Sequence, residues 1–345
     1  PLCLVGSEMC IRDSFYYNQN PINSIFSLRL EWGIGKYENN SLSFATSFGS
    51  MIGNEQYTFN EFKEELQKIG ATVDFFSTMN HTGINIKGFD KHFKKTIELT
   101  GSFLSSMKIR KEDKKKLKKL IQGSVIDRKF ESAEASAKSD ALKQYAIWGE
   151  KSDYLTRPTV NEVKKMDGDF LIDQIKDAMS VETTVFYTGT VEKDVVRNSI
   201  REYFMIRDEL RESKSPYRFE KKLNNSNTIY FHNDKKAVQS QIYIIVDGEK
   251  MDEGDRHLSN MFNKYFGGSM SGLVFQEIRE FRSLAYSAYG TYRRPFFFDE
   301  SGRFEGFMGT QADKTMDAIE TYISLLEDMP QKANRLEGIQ SGLLE

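Results

Sequence analysis

This sequence of 345 residues contains two long stretches, each of which has strand patterns followed by helix patterns. The first ends near residue 212 and the second begins near residue 228, and the segment between them is rich in Lys, Ser, Asn and Glu and contains Pro216. Such composition is typical of a linker between domains. The sequence therefore predicts a first domain at residues 15–212, a linker at 213–227 and a second domain at 228–345, each long enough for a core of its own.

The first predicted domain begins with a strand and continues mainly with helices. Residues 25–32 alternate apolar and polar side chains, as a half-buried strand does. Thr58 and Glu61 form the capping box of a helix that ends at Gly70. The other patterns predict strands at 71–77, 83–87 and 183–187, and helices at 42–52, 90–104, 111–129, 136–148, 160–179 and 193–203. For the second domain they predict strands at 228–232 and 239–246 and a helix at 253–266.

Composition places the chain among ordinary globular α/β or α+β proteins, with 39% hydrophobic and 28% charged residues. Forty-eight basic residues stand against fifty acidic ones, so no net field draws the chain to nucleic acid or to an anionic membrane. The basic run from Arg110 to Lys119 also carries acidic residues and indicates a solvated helix face. No segment indicates a membrane span.

Cysteine and histidine are too scarce and too scattered to build a metal site. Cys3 and Cys10 are the only two cysteines, which excludes a disulfide framework and a cysteine-based zinc site. No two of the four histidines are paired at helical spacing or placed beside a ligand-spaced carboxylate: His81, His92, His232 and His257. We interpret all four as surface or turn residues.

Both ends of the sequence have unusual patterns. Residues 1–14, PLCLVGSEMCIRDS, resemble translated sequencing-adapter DNA, and we predict that they are not native. The last residues stop inside a helix pattern that has no cap, which predicts that the second domain is C-terminally incomplete.

The segment from Tyr265 to Tyr292 is the densest in motifs. Gly267 and Gly268 precede a Ser/Gly-rich turn, but the segment has neither the ending nor the glycine spacing of a phosphate-binding loop. An arginine and a phenol, here Arg279 and Tyr286, can together hydrogen-bond a peptide carbonyl and stabilise the oxyanion formed on hydrolysis. Taken alone, the two residues are equally explained as a helix-end cation and a core tyrosine.

The same segment closely resembles the signature of the insulinase/pitrilysin family of zinc peptidases. Phe-Gly-Gly-Ser-Met-Ser is followed by Glu277, Arg279, Arg282 and Tyr286 at the spacing found there. The resemblance extends over most of the chain from about residue 21 and matches the C-terminal half of those enzymes. It implies an α+β fold: two tandem metallopeptidase-like α/β sandwiches, each an antiparallel-rich mixed sheet covered by helices.

The zinc motif of that family is missing from this chain. Its catalytic domains bind zinc through H-x-x-E-H on a helix and a more distant glutamate. At the matching positions stand Ser43, Thr46 and Ser47, and Gln122 occupies the approximate place of the distal ligand. No cofactor is therefore expected in this chain, and the resemblance implies zinc in an N-terminal half.

The resemblance implies a function shared between two halves. We expect the zinc-free half of a metalloendopeptidase, inactive by itself, which helps to enclose a peptide substrate. Its partner is the zinc-binding half, on the same or an adjacent polypeptide. A non-catalytic assembly or scaffold subunit of the same superfamily is the alternative, and the sequence leaves the two open. The resemblance points to a bacterial periplasmic or membrane-facing peptidase, although no residue pattern sets the compartment.

Overall fold

A computed structural model describes residues 5–8, 14–204, 210–214, 222, 226–252, 254–267, 270–295, 300–331 and 336–340. The chain divides into two compact units of mixed α and β structure. The first comprises Pro1–Phe130 with Asp153–Glu220, and the second Glu131–Ser152 with Lys221–Glu345. Residues 131–152, predicted to lie in the first domain, are thus grouped with the second unit.

The first unit is built on a six-stranded mixed sheet. Its strands are β1 (Val5–Glu8), β2 (Ser14–Gln19), β3 (Ile25–Trp32), β4 (Thr72–Ser77), β5 (Thr82–Phe89) and β6 (Thr183–Gly189). They lie in the order β1-β2-β6-β3-β5-β4, and only the β2–β6 pair is parallel. The predicted strands of this unit are therefore present. Strand β1 belongs to the segment predicted to be non-native, and it pairs with β2. The sequence patterns did not predict β2.

The helices of the chain are α1 (Leu42–Gly49), α2 (Phe59–Lys68), α3 (Phe93–Ser105), α4 (Asp113–Ala133), α5 (Ala135–Trp148), α6 (Asp153–Thr156), α7 (Val160–Lys165), α8 (Gly168–Ala178), α9 (Lys193–Tyr203), α10 (Asp255–Phe266) and α11 (Thr315–Glu327). The predicted helix at 160–179 is wrong in one respect, because it is broken into α7 and α8. Asp167 lies at the break, and its carboxylate accepts a hydrogen bond from the N–H of Phe170 at 2.7 Å. This acceptor starts a new helix.

Alternation along β3 creates the core of the first unit. Phe26, Leu28, Leu30 and Trp32 are buried, whereas the residues between them face the other side of the sheet. The capping box of α2 is confirmed, since Glu61 accepts from the N–H of Thr58 at 2.7 Å and Thr58 accepts from the N–H of Glu61 at 3.2 Å. These bonds satisfy donors that a helix start leaves unpaired.

The second unit contains an antiparallel sheet of three strands, β7 (Gln239–Lys250), β8 (Ala285–Arg293) and β9 (Ser301–Gln311), in the order β7-β9-β8. Residues 228–232, predicted as a strand, are not in one. One face of the sheet forms a core with α10 and α11, in which Phe266, Met308 and Tyr322 are fully buried. At Gly267 the chain passes so close to β8 that an added Cβ would lie 2.1 Å from the carbonyl oxygen of Gly290.

The other face of this sheet is partly covered by α5. Lys138 forms an ion pair with Asp234 at 2.7 Å, and the ammonium of Lys143 lies 5.0 Å from the ring centroid of Tyr243. The guanidinium of Arg303 lies 5.5 Å from the ring of Trp148. These contacts involve charge and aromatic rings rather than an apolar helix stripe, so helical periodicity does not indicate them.

A buried carboxylate links two arginines on that face. Glu305 is 4% exposed and contacts Arg303 at 2.6 Å and Arg293 at 3.2 Å. Burial opposes ionisation of this carboxyl, but the two guanidinium groups outweigh it and hold its pKa below the ordinary value of 4.5. Because the folded pKa is lowered, the stabilisation is fully present above that ordinary value and is lost as pH falls below it.

We expect Glu305→Gln to destabilise the second unit by about 3 kcal/mol at pH 7, because it removes the charge between the arginines. At pH 3.5 the difference from the unsubstituted protein should shrink. The chain has two tryptophans, Trp32 in the first unit and Trp148 in the second. Urea unfolding followed by Trp148 fluorescence in a Trp32→Phe background measures both values, and a pH-independent difference would contradict the assignment.

Candidate functional site

Arg279 lies on a short π-helix, Phe275–Glu280, in the second unit. The N–H of Phe281 donates to the carbonyl of Gln276, five residues earlier, at 2.9 Å. Three fully buried side chains anchor this turn in the core: Leu273, Val274 and Ile278. The turn is therefore fixed on its buried side, and it is π rather than α. Wide turns of this kind occur often at functional sites.

The guanidinium of Arg279 lies close to two aromatic rings. Its central carbon is 4.6 Å from the ring centroid of Phe275 and 5.1 Å from that of Tyr286. Its one ion pair within the described residues is with Glu280, Nε to Oε1, at 3.5 Å. The rings restrict the planar group without using its N–H donors, so the donors stay available to a ligand.

The chain between Arg279 and Tyr286 is fixed by three hydrogen bonds. The N–H of Ser283 donates to the carbonyl of Arg279 at 3.1 Å, and that of Leu284 donates to the carbonyl of Ile278 at 3.0 Å. The buried hydroxyl of Thr310 donates to the carbonyl of Leu284 at 2.6 Å. The arginine and the tyrosine are thus held on one rigid connection.

Tyr286 projects from a β-bulge at the start of β8. Ala285 pairs with Thr310 and Ser287 pairs with Gly309, so Tyr286 is the extra residue and has no partner on β9. A bulge re-aims the side chain of the residue it carries. Tyr286 is 78% exposed and is therefore not a core tyrosine.

The two residues border a shallow open hollow of about 290 Å³ at the ends of the three strands. Within the part of the chain that the structure describes, no aspartate or glutamate lines it. Its lining residues are Gln239, Arg279, Ser283, Leu284, Ala285, Tyr286, Gly309, Thr310 and Gln311. One cation, two amides and several hydroxyl groups suit a ligand that accepts hydrogen bonds.

Ser283 has a φ of +52°, the left-handed conformation that disfavours residues with a Cβ. We expect Ser283→Gly to stabilise the second unit by about 1 kcal/mol and Ser283→Val to destabilise it. Urea unfolding monitored through Trp148 measures both changes. If Gly at this position lowers stability, the seryl side chain contributes contacts that outweigh the backbone strain.

The positions of the missing zinc motif lie together on α1. The hydroxyl of Thr46 donates to the carbonyl of Leu42 at 2.9 Å, and that of Ser47 donates to the carbonyl of Ser43 at 2.8 Å. Gln122 is exposed on α4. Hydroxyls committed to their own helix backbone are not the imidazole, thiolate or carboxylate ligands that zinc takes. The residues present do not fit a zinc ion.

The described part of the chain contains neither a cluster of metal ligands nor a membrane-spanning helix. Outside the undescribed segments, no group of three or more His, Cys, Asp or Glu residues could hold a metal ion. No described helix is both long and apolar enough to cross a bilayer. Gly268 and the serine that follows it in the Phe-Gly-Gly-Ser-Met-Ser motif lie outside the described residues.

Comparison with known proteins gives a family match in the second half of the chain. Residues 181–343 match the model of the peptidase M16 inactive domain. A curated relative is the uncharacterized zinc protease YmxG of Bacillus subtilis, 21% identical over 313 residues that cover 89% of this chain and 72% of that protein. The resemblance drawn from the sequence, to the zinc-free half of a zinc metallopeptidase, is confirmed.

Solved structures show the same fold at low identity. The M16 inactive domain from Pseudomonas fluorescens superposes with a TM-score of 0.71 at 11% identity, covering 99% of this chain and 84% of that one. A mutant of the ferredoxin protease FusC in complex with Arabidopsis ferredoxin gives a TM-score of 0.75 at 10% identity. That match covers 96% of this chain but only 36% of the longer protein. The mixed α+β fold predicted from the sequence is thus confirmed.

Proposed function

We propose that this chain, whose residues 181–343 match the model of the peptidase M16 inactive domain, is the zinc-free half of a metalloendopeptidase. In this proposal both units are peptidase-like sandwiches that help to enclose a peptide, while hydrolysis takes place at a zinc site in a separate half. The matched relatives include a zinc protease, which supports peptide hydrolysis as the reaction class.

The observation that supports the proposal most strongly is the placement of the Arg279 guanidinium and its small number of contacts. Its guanidinium is placed against two rings at the edge of an open hollow, and one ion pair to an exposed glutamate is its one charged contact among the described residues. An arginine that binds a ligand needs a guanidinium group held in a fixed plane with its N–H donors unused. The donors of a purely structural arginine would instead be hydrogen-bonded within the fold.

Arg279 and Tyr286 together would hold the carbonyl oxygen of a bound peptide. The guanidinium N–H groups and the phenol O–H are donors, and a carbonyl oxygen accepts two hydrogen bonds. As water adds to the carbonyl carbon, negative charge grows on that oxygen, so fixed donors stabilise the transition state more than the bound substrate. This chain would supply orientation and charge stabilisation, not the attacking water.

The zinc half is proposed on the same or on an adjacent polypeptide. This chain covers 84% of one similar structure, which supports a zinc half on an adjacent polypeptide. It covers only 36% of a longer similar structure, which supports a zinc half on the same polypeptide. A scaffold subunit of the same superfamily is the second candidate, and the hydroxyl groups at Ser43, Thr46 and Ser47 agree with it equally well.

The isolated chain tests the first part of the proposal. We expect it to bind no stoichiometric zinc after incubation with the ion and to leave an internally quenched peptide uncut. Metal analysis after gel filtration and a fluorescence assay with and without a chelator are the measurements. Chelator-sensitive hydrolysis by this chain alone would show that it contains a complete active site.

A further inference from the structure

The lining of the hollow favours an anion over a neutral group. Arg279 contributes a full positive charge, and among the lining side chains that the structure describes no carboxylate stands to neutralise it. Glu280 contacts the guanidinium only through Nε, at 3.5 Å, and its own side chain is 48% exposed. An exposed pair at that separation offsets little of the charge.

The types of donor in the lining suit a ligand with two oxygens. A guanidinium presents parallel N–H groups that match a carboxylate in a bidentate pair. Gln239 and Gln311, directly paired across β7 and β9, add amide N–H groups at the same hollow. A neutral carbonyl has one oxygen and leaves part of this donor set unused.

We propose that the hollow is a carboxylate site that retains a product peptide by its newly formed C-terminal carboxylate. The inference rests on the proposed function, in which Arg279 holds the carbonyl of the bond to be cut. Hydrolysis adds water across that bond, and the carbonyl carbon becomes a carboxylate while the nitrogen leaves as a protonated amine. The oxygen held by Arg279 in the substrate thus belongs to an anion in the product.

The consequence is that the acyl product binds more tightly than the substrate. The hydrogen bond from Arg279 to a carbonyl has one charged partner, whereas its bond to a carboxylate joins two opposite charges and can be bidentate. The amine product has a protonated amine instead of a carboxylate at the cut bond, and there it gains nothing from Arg279. The two products should therefore leave separately, the one with the new C-terminus last.

Three N-acetylated peptides test this on the full chain. Two share one sequence without acidic side chains and end in a free carboxylate or in an amide, and the third is the amide with one internal residue replaced by glutamate. We expect the free acid to bind at least about tenfold more tightly than the amide, as titration by nuclear magnetic resonance would measure. Equal affinity of acid and amide would overturn the proposal. If the glutamate peptide binds as tightly as the free acid, side chains rather than C-termini are the ligand, and product retention is wrong.

Variants at two neighbouring arginines test whether Arg279 causes the difference in affinity between acid and amide. Arg279→Gln should abolish the difference between acid and amide, and Arg279→Lys should keep only part of it, because lysine has charge without the planar fork. Arg282→Gln is the matched control, since Arg282 is exposed and does not line the hollow, and it should keep the full difference. If the difference persists in Arg279→Gln, the carboxylate binds elsewhere.

The outcomes separate this inference from the function on which it rests. If acid and amide bind equally and Arg279→Gln weakens both, Arg279 holds a carbonyl but does not select carboxylates. If the acid binds selectively but peptide turnover with the zinc half is unchanged by Arg279→Ala, the carboxylate site exists and the positioning role in hydrolysis is wrong.

Discussion

Arg279→Ala is expected to lower kcat/KM for peptide hydrolysis, measured with the zinc-binding half present, by a factor on the order of 10²–10³. The loss should lie mainly in kcat, because the guanidinium is proposed to stabilise charge that develops only as the carbonyl is attacked. Tyr286→Phe should cost about 10²-fold, since it removes one donor and keeps the ring beside Arg279 at 5.1 Å.

The control for this prediction is Arg282→Ala, which removes an exposed arginine three residues from Arg279 and should leave turnover within about twofold of the unsubstituted value. Unchanged turnover in both Arg279→Ala and Tyr286→Phe would favour the scaffold subunit. Equal losses in all three variants would mean that the turn as a whole, rather than two donors, is required.

The second large effect is expected at Gly267. Its replacement by Ala places a Cβ 2.1 Å from the carbonyl oxygen and 2.4 Å from the nitrogen of Gly290, which are backbone atoms of β8 and cannot rotate away. Strand and helix end must separate, and we expect a loss of about 3 kcal/mol or more in the unfolding free energy of the second unit.

Urea unfolding of two single-tryptophan proteins measures this effect. In one, the fluorescence of Trp148 reports on the second unit, and in the other, that of Trp32 reports on the first. The matched control is Gly309→Ala on β9, where a Cβ would meet nothing nearer than 3.8 Å. A first-unit transition that moves as much as the second would show that the damage is not confined to the unit that contains Gly267.

Local features of the fold were predictable because they depend on neighbouring residues. The alternation of β3 and the capping box of Thr58 and Glu61 follow from side chains close in the sequence. The strand predicted at 228–232 was wrong, because Tyr230 packs edge-on against Tyr145 of α5, 5.9 Å away, instead of the segment joining a sheet. The position of α5 depends on such long-range aromatic and charge contacts, which leave no period in the sequence.

The proximity of Arg279 and Tyr286 was predictable from the sequence, but the geometry around them was not. The spacing of Arg279 and Tyr286 pointed to a pair, and the structure brings the guanidinium against the phenol ring. The bulge that exposes Tyr286, the left-handed Ser283 and the buried Thr310 that ties the turn together are set by pairing with β9. The sequence of one segment does not show which strand it pairs with or in which register. Gln239 and Gln311 were missed for the same reason.

The most direct test of the account is a titration of this chain into a fixed amount of the zinc-binding half while peptide hydrolysis is followed. We predict that the rate rises with added chain and saturates at one chain per zinc-binding half, and that the zinc remains in that half. A zinc-binding half that reaches its full rate without this chain would contradict the claim that the chain positions the substrate.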